Sequence, residues 1–213
     1  QETPVSAYRK LAGGTHGALL ESIEGGELWG RYSMIGLDPS LLFESRGHQV
    51  KITRGENSSE EQTVRPLARL DQLVREHRSA TLSGLPRLAG GAVGFAAYDL
   101  VRSIERLPAS AEDDLSLPDT RFAFFETVVL FDHQFHTVKV VVNARPEREP
   151  EQAYARAVKR IDEIVARLTT PLGPEAEHAP GPKVHFESTV SHERFCESVK
   201  RAKEYIRAGD VVQ

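Results

Sequence analysis

The sequence predicts an α+β protein with mainly antiparallel sheets, flanking helices and an incomplete second domain. Apolar stretches of strand length follow one another in runs, whereas stretches with helical periodicity are few and do not alternate with them. The Pro- and Gly-containing segment 171–182 precedes a tail, 183–213, that is too short to bury a core of its own. We therefore expect a first domain at 1–170, a linker at 171–182 and the beginning of another domain at 183–213.

Composition and charge exclude several classes of protein. With 213 residues, 39% hydrophobic and 27% charged, the chain has ordinary globular composition, and its net charge of −4 gives no reason to expect nucleic acid or membrane partners. The single cysteine, Cys196, excludes an internal disulfide and fits a reducing compartment. Since we find neither an apolar run of about 20 residues nor a leader pattern, we expect a cytoplasmic protein.

The first half of the chain is predicted to consist largely of strands. Residues 17–22 and 31–37 form strands on either side of a glycine-rich loop. Residues 40–44 and 49–53 flank a glycine turn and indicate a hairpin. The polar stretch 56–62 is predicted to be a loop.

A helix is predicted next, at 64–77, with Thr63 as its cap and Pro66 in its first turn. The glycine-rich stretch 90–99 predicts a strand that leads into a short helical turn, and 108–118 is an acidic loop bounded by prolines.

The second half is predicted to be a hairpin followed by helices. Residues 122–131 are almost wholly apolar and predict one strand that is covered on both faces and paired with 137–143. A long helix begins at Pro150, and its predicted buried stripe consists of Tyr154, Val158, Ile161, Val165 and Leu168. Strands at 184–186 and 210–213 then flank a helix that Ser191 caps and Gly209 ends.

Two patterns that resemble sites have plainer explanations. Gly90, Gly91 and Gly94 resemble part of a phosphate-binding loop, but the dinucleotide fingerprint requires a long helix directly after it. We interpret these glycines as positions where another backbone approaches closely. His133 and His136 lie in a predicted turn without a Cys or Glu pair nearby, so we interpret them as solvated residues rather than metal ligands.

Polar side chains cluster at the ends of the first two predicted strands. Glu21 and Ser22 end one strand, and Arg31, Tyr32 and Ser33 begin the next. This set could recognise a small zwitterion, with Glu21 binding the ammonium and a serine hydroxyl binding the carboxylate. The alternative, that these residues only cap an ordinary hairpin, stays open on pattern alone.

Four motifs in order carry a resemblance to a known family. They are Leu19-Leu20-Glu21-Ser22, Gly30-Arg31-Tyr32-Ser33-Met34-Ile35-Gly36, the segment 90–99, and Phe195 with the segment 202–213. In these motifs the chain resembles component I of anthranilate synthase, a family of chorismate-utilising enzymes, over essentially its whole length. The resemblance implies that 1–170 is the family's N-terminal domain and that 183–213 begins its chorismate-binding domain.

The resemblance also implies a function. Members of this family are lyases of tryptophan biosynthesis that convert chorismate and ammonia to anthranilate and pyruvate, with Mg²⁺ on the substrate carboxylate. Ammonia comes from a glutamine amidotransferase subunit, component II, and L-tryptophan inhibits by feedback. By resemblance the tryptophan site includes Leu20, Glu21 and Ser22, with Tyr32 and Ser33 on the neighbouring strand. No catalytic residue or Mg²⁺ ligand is expected before Gln213, so the 213 residues alone are expected to be inactive.

Two other functions remain open at this level. Component I of aminodeoxychorismate synthase, from the folate pathway, shares the fold and the ammonia chemistry, and its product, an aminated chorismate that keeps the enolpyruvyl group, would distinguish it. The chain could instead be a regulatory or partner-binding module without catalysis.

Overall fold

The computed structural model of the chain describes residues 2–12, 16–21, 30–108, 112–145, 149–173, 181 and 184–212. The chain divides into two compact units, Gln1–Gly173 and Pro174–Gln213. Each unit is described separately below.

Nine strands of the first unit, among the described residues, form two antiparallel sheets. The first sheet has the order β1-β2-β8-β9, with bounds β1 Ala18–Leu20, β2 Tyr32–Leu37, β8 Thr127–Asp132 and β9 Thr137–Val142. The second has the order β5-β4-β3-β7-β6, with bounds β3 Leu41–Arg46, β4 Gln49–Arg54, β5 Asn57–Gln62, β6 Gly91–Ala96 and β7 Thr120–Phe125. A 3-10 turn, Tyr98–Ser103, follows β6.

Helices cover the outer faces of the two sheets. Helices α1 (Pro4–Leu11) and α3 (Pro150–Thr169) pack on the first sheet, where Ile35 and Val129 meet Ile164. Helix α2 (Pro66–Glu76) packs on the second sheet. Between the sheets lies a third apolar cluster of Met34, Phe125, Val128 and Leu130. The unit therefore has four layers, helix–sheet–sheet–helix, which confirms the predicted α+β class.

Helix α1 is not foreseen by periodicity because it has only eight residues. A capping box defines its start: the Ser6 backbone N–H donates to Thr3 Oγ1 at 3.1 Å, and the Thr3 N–H donates to Ser6 Oγ at 2.8 Å. Its buried residues are Ala7 and Leu11.

The predicted loop at 56–62 is wrong, because Asn57–Gln62 is strand β5. Gly55, with a φ of 57°, lies in the tight turn that joins β4 to β5. Strand β4 pairs with the backbone N–H and C=O groups along one edge of β5, and solvent hydrates those along the other edge. An entirely polar sequence can therefore form this edge strand. Composition alone therefore misidentified an edge strand.

The apolar run 122–131 is two strands rather than one. Strand β7 ends at Phe125, β8 begins at Thr127, and the two belong to different sheets. The corner between them is Glu126, whose carbonyl oxygen accepts from the Asn143 backbone N–H at 2.7 Å and from its side chain at 3.1 Å. The predicted pairing of β8 with β9 is confirmed.

Helix α3 buries a different face from the one predicted. The residues at its packed face are Ala153, Ala157 and Ile164, whereas Tyr154 is 71% exposed. Of the predicted stripe, Val158 and Val165 are also exposed, and Leu168 is partly buried. Ile161, also in that stripe, is partly buried, so the packed face is turned from the predicted one by less than the roughly 100° that separates neighbouring residues.

Helix α2 also differs in detail from its prediction. It buries Leu70 and Leu73, and the residue before its first turn is Arg65, which makes no side-chain capping bond. Thr63 instead accepts a hydrogen bond from the Arg65 N–H at 3.2 Å.

Gly94 fits the interpretation of close backbone approach. It pairs with Phe122, and a Cβ atom at this position would overlap the carbonyl oxygen of Arg121. The backbone of β7 therefore leaves no room for a side chain there.

The second unit contains helix α4, His192–Ala208, as predicted. Ser191 Oγ accepts from the Arg194 N–H at 3.3 Å, and Gly209, with a φ of 83°, ends the helix. Residues 184–186 and 210–212 do not form strands, contrary to the prediction, and Gln213, the last residue of the second predicted strand, lies outside the described residues.

Candidate functional site

Three strand ends meet at one edge of the first sheet. Strand β1 ends at Leu20, β2 begins at Tyr32, and β8 ends at Asp132. Leu20 lies opposite Met34, and Tyr32 lies opposite Asp132. The antiparallel register therefore brings the ends of β1 and β8 to the beginning of β2.

Arg31 and Asp132 form a two-point ion pair at this edge. Arg31 Nε donates to Oδ1 at 3.0 Å and Nη2 donates to Oδ2 at 2.8 Å. The backbone N–H groups of Gln134 and Phe135 also donate to Asp132 Oδ1, at 3.2 and 3.3 Å. The Asp132 side chain is only 1% exposed, whereas that of Arg31 is 30% exposed. All of these donors favour the ionised carboxylate.

The ion pair sets the protonation of Asp132. The pKa of Asp132 is lowered to about 2, chiefly by the hydrogen bonds from Arg31 and also by the backbone N–H groups of Phe135 and Gln134, while burial acts in the opposite direction. The same hydrogen bonds raise the pKa of Arg31. Both groups are therefore charged at neutral pH, and their charges offset each other locally.

Aromatic rings complete what we call the strand-end cluster, which consists of Arg31, Tyr32, Asp132 and Phe135. The guanidinium carbon of Arg31 lies 4.8 Å from the ring centroid of Tyr32 and 4.8 Å from that of Phe135. Both distances fall within the range of cation–π attraction. The guanidinium thus contacts one carboxylate and two rings of its own domain.

Tyr32 and Ser33 point to opposite faces of β2, as neighbouring strand residues must. Ser33 shares its face with Ile35, which packs toward the helices, while Tyr32 shares its face with Met34, which lies between the sheets. Ser33 is buried, and its Oγ lies 2.7 Å from Nε2 of His133. The Ser33 hydroxyl therefore already has a partner within the domain.

The remaining predicted site residues lie at the end of β1. Leu20 is 40% exposed and Glu21 is also exposed, so both are accessible to a ligand. Ser22 lies outside the described residues. The structure thus brings Leu20 and Glu21 to the same sheet edge as Tyr32 and Ser33.

Sequence reasoning missed Asp132 and Phe135; it interpreted His133 as a solvated turn residue, and His133 is indeed exposed, although its contact with Ser33 was not foreseen. Residue 132 began the predicted turn between two strands, and no ligand chemistry was assigned to that turn. A pattern was nevertheless present: an aspartate ends an apolar run, and an arginine begins another strand of the same sheet. Antiparallel pairing of those two strands would have placed the two charges together.

The cavities among the described residues of the first unit include two that are relevant here. One of about 430 Å³ is beside the site and is lined by residues that include Glu2, Asp132, His133 and His136. The other, of about 560 Å³, lies at the β7–β8 corner, where His77, Phe125 and Asn143 line it. Both volumes are within the range of small-molecule sites.

Metal-binding and membrane-spanning features were also sought. Across the described ranges, no group of three or more His, Cys, Asp or Glu side chains could hold a metal ion. None of the helices that the structure describes is both long enough and apolar enough to cross a membrane.

Comparison with known proteins shows similarity along the whole chain. Residues 24–213 match the family model described as chorismate binding enzyme. Anthranilate synthase component 1 of Thermus thermophilus is 40% identical over 215 residues, covering 100% of this chain and 43% of the relative. That of Acinetobacter calcoaceticus is 39% identical over 221 residues, with the same coverage.

A solved structure agrees with these relatives. The crystal structure of anthranilate synthase component I from Streptococcus pneumoniae superposes with a TM-score of 0.61 at 26% identity, covering 98% of this chain and 44% of that one. The chain spans less than half the length of the proteins it matches. The predicted resemblance is confirmed by sequence and by fold, and the chain belongs to the chorismate binding enzyme family.

Proposed function

We propose that the chain is the N-terminal part of the large subunit of anthranilate synthase. The observation that carries this proposal is the similarity to anthranilate synthase component 1 over the entire chain, at up to 40% identity among the relatives compared. The superposition on a component I structure, over 98% of the chain, supports it independently.

The proposed reaction converts chorismate and ammonia to anthranilate, pyruvate and water. A partner glutamine amidotransferase, component II, would supply the ammonia. We place the Mg²⁺ ligands and the catalytic residues in polypeptide that follows Gln213, and we place the enzyme in the cytoplasm. Within this chain, the proposed role is regulation and contact with the partner.

The proposed regulatory ligand is L-tryptophan, bound at the end of β1. Leu20 and Glu21 are accessible there, and a carboxylate such as Glu21 suits the ammonium group of an amino acid. Ser22 and Tyr32 complete the proposed site, and Ser33 is left out of it because it is buried on the other face of β2 with its hydroxyl against His133. Feedback then acts as a coupling free energy between this site and the chorismate site, typically about 1–3 kcal/mol.

The activity is tested by comparing the full-length protein with the 213-residue chain. Full-length protein supplied with chorismate, ammonium and Mg²⁺ should form anthranilate, which is followed by its fluorescence. The 213-residue chain should form none and should not bind tryptophan tightly. Anthranilate formed by the 213-residue chain alone would contradict the proposal that the catalytic residues lie elsewhere.

The effector site is tested by Ser22→Phe in the full-length protein. The larger side chain should fill the pocket and relieve tryptophan inhibition, with little change in turnover when tryptophan is absent. Ser79→Phe is the matched control, because Ser79 is exposed on the segment after α2. Inhibition that persists unchanged in Ser22→Phe would remove Ser22 from the site.

A further inference from the structure

The strand-end cluster joins two strands of the first sheet. Arg31 immediately precedes β2, and Asp132 is the last residue of β8. The two are joined by two side-chain hydrogen bonds, and the His133 backbone N–H donates to the Arg31 carbonyl at 2.8 Å. The beginning of β2 is therefore attached to β8 through both the side chain and the backbone of one residue.

The environment of Asp132 is typical of a residue that fixes geometry. Compared with a well-packed apolar pair, an ion pair with a buried member gains little net stability because its charges are desolvated, although removing one partner alone is costly. Its hydrogen bonds are directional, however, and Asp132 accepts four of them. A fully satisfied buried polar group of this kind holds its partners in a single arrangement.

The position of this pair matters because β2 forms one side of the proposed tryptophan site. Leu20 of β1 lies opposite Met34, two residues from Tyr32. A displacement at the beginning of β2 would change the spacing between Tyr32 and the exposed end of β1.

We propose that Arg31 and Asp132 are positioning residues for the tryptophan site, and that Arg31 does not receive the carboxylate of the ligand. This inference rests on the proposed function. The Arg31 guanidinium already contacts the Asp132 carboxylate and two aromatic rings. Its charge is therefore balanced by a group of its own domain, and its flat surface packs against rings of that domain.

The two possible roles of Arg31 predict opposite effects of Asp132→Asn. If Arg31 received the tryptophan carboxylate, removing its internal counterion would strengthen tryptophan binding. If the pair positions β2, the same substitution breaks the arrangement and weakens binding. The sign of the change therefore separates the two roles.

The first experiment measures tryptophan inhibition of the full-length protein. Arg31→Lys and Asp132→Asn should each raise the inhibition constant about 2- to 30-fold, the range by which residues outside a ligand site change coupling. The inhibition constant of the double variant should be no higher than that of the more strongly affected single variant, because both substitutions remove the same interaction. The inhibition constant should rise by a larger factor than the KM for chorismate.

Matched controls come from an exposed pair of the same residue types. Arg75 and Asp71 on α2 lie 2.9 Å apart with side chains 77% and 58% exposed. Arg75→Lys and Asp71→Asn should leave the inhibition constant unchanged, because exposed pairs contribute little.

The second experiment compares L-tryptophan with tryptamine, which lacks the carboxylate. The inhibition constant of tryptophan divided by that of tryptamine measures the contribution of the carboxylate, and this ratio rises when that contribution is lost. If Arg31 is a positioning residue, Arg31→Lys weakens the binding of both ligands and leaves this ratio unchanged within about twofold. The coupling between Arg31 and the ligand carboxylate is then near zero. Should Asp132→Asn fail to fold, this ratio in Arg31→Lys decides the question alone.

Three results would overturn the inference: tighter tryptophan binding in Asp132→Asn, a large rise in the ratio of the tryptophan to the tryptamine inhibition constant in Arg31→Lys, or unchanged inhibition in both variants. If Ser22→Phe relieves inhibition while the pair variants do not, only the positioning role is lost. If Ser22→Phe also has no effect, the effector site is misassigned and the positioning role is lost with it.

Discussion

Replacing Asp132 by asparagine tests the electrostatics of the strand-end cluster through stability alone. The substitution keeps the shape of the side chain but removes its negative charge and replaces one of the two oxygens that accept from Arg31 with an NH2 group that cannot accept. The cluster lies in the first unit, so an unfolding measurement on the purified chain reports on it directly.

The expected loss of stability follows from the pKa of Asp132. In the folded state the pKa is about 2, compared with an ordinary value of 3.8. This lowering of the pKa corresponds to about 2 kcal/mol of unfolding free energy. Because the folded pKa is the lower one, this contribution is complete above about pH 5 and decreases as the pH falls through about 4 toward 2. About half of it should remain at pH 3.

The assay is urea unfolding of wild type and Asp132→Asn at pH 7, 5, 4 and 3. The difference in unfolding free energy should be about 2 kcal/mol at pH 7 and should narrow at the two lowest pH values. Asp71→Asn, at an exposed pair, is the control and should change stability by less than about 0.5 kcal/mol. A difference that is absent at pH 7, or that does not narrow below pH 4, would refute the assignment of a buried, ion-paired carboxylate.

Two further predictions test the packing of the first unit. Gly94→Ala should destabilise the chain by about 1–3 kcal/mol in urea unfolding, because the new methyl group overlaps the β7 backbone, whereas Gly173→Ala, in open space, should be nearly neutral. An equal effect of the two alanines would contradict the close approach of β6 to β7. Ile164→Ala should cost about 2–5 kcal/mol by thermal or urea unfolding, and Val165→Ala, at an exposed position, about 0.5 kcal/mol or less. The reverse order would show that the predicted stripe of α3 is the buried face after all.

Strong local patterns were sufficient to predict many elements. The hairpin of β3 and β4, the strand that leads into the 3-10 turn, and helix α4 with its serine cap and glycine end are all present. Each of these depends on residues that are close in sequence. Their physical cause, a turn or a cap, acts within a few residues.

Features that depend on distant partners could not be predicted. The polar strand β5 exists because β4 offers an open edge, and the buried face of α3 depends on which of its residues meet the first sheet. Likewise, Glu126 divides an apolar run because Asn143, distant in sequence, binds its carbonyl. In each case local composition was outweighed by tertiary contacts.

The candidate site also has one part that local sequence predicts and another that depends on distant partners. The polar residues at the ends of the first two strands were found as a motif, and the register of β1 with β2 places Leu20 near them. The partner of Arg31 was not found, because Asp132 lies about a hundred residues away in sequence. Only the antiparallel pairing of β2 with β8 reveals that the guanidinium contacts a carboxylate of its own domain.

The most direct test of the proposed function is the product that the full-length protein forms from chorismate and ammonium. Our account predicts anthranilate together with one equivalent of pyruvate, measured by fluorescence and by a coupled lactate dehydrogenase assay. An aminated chorismate that retains its enolpyruvyl group, with no pyruvate released, would contradict it.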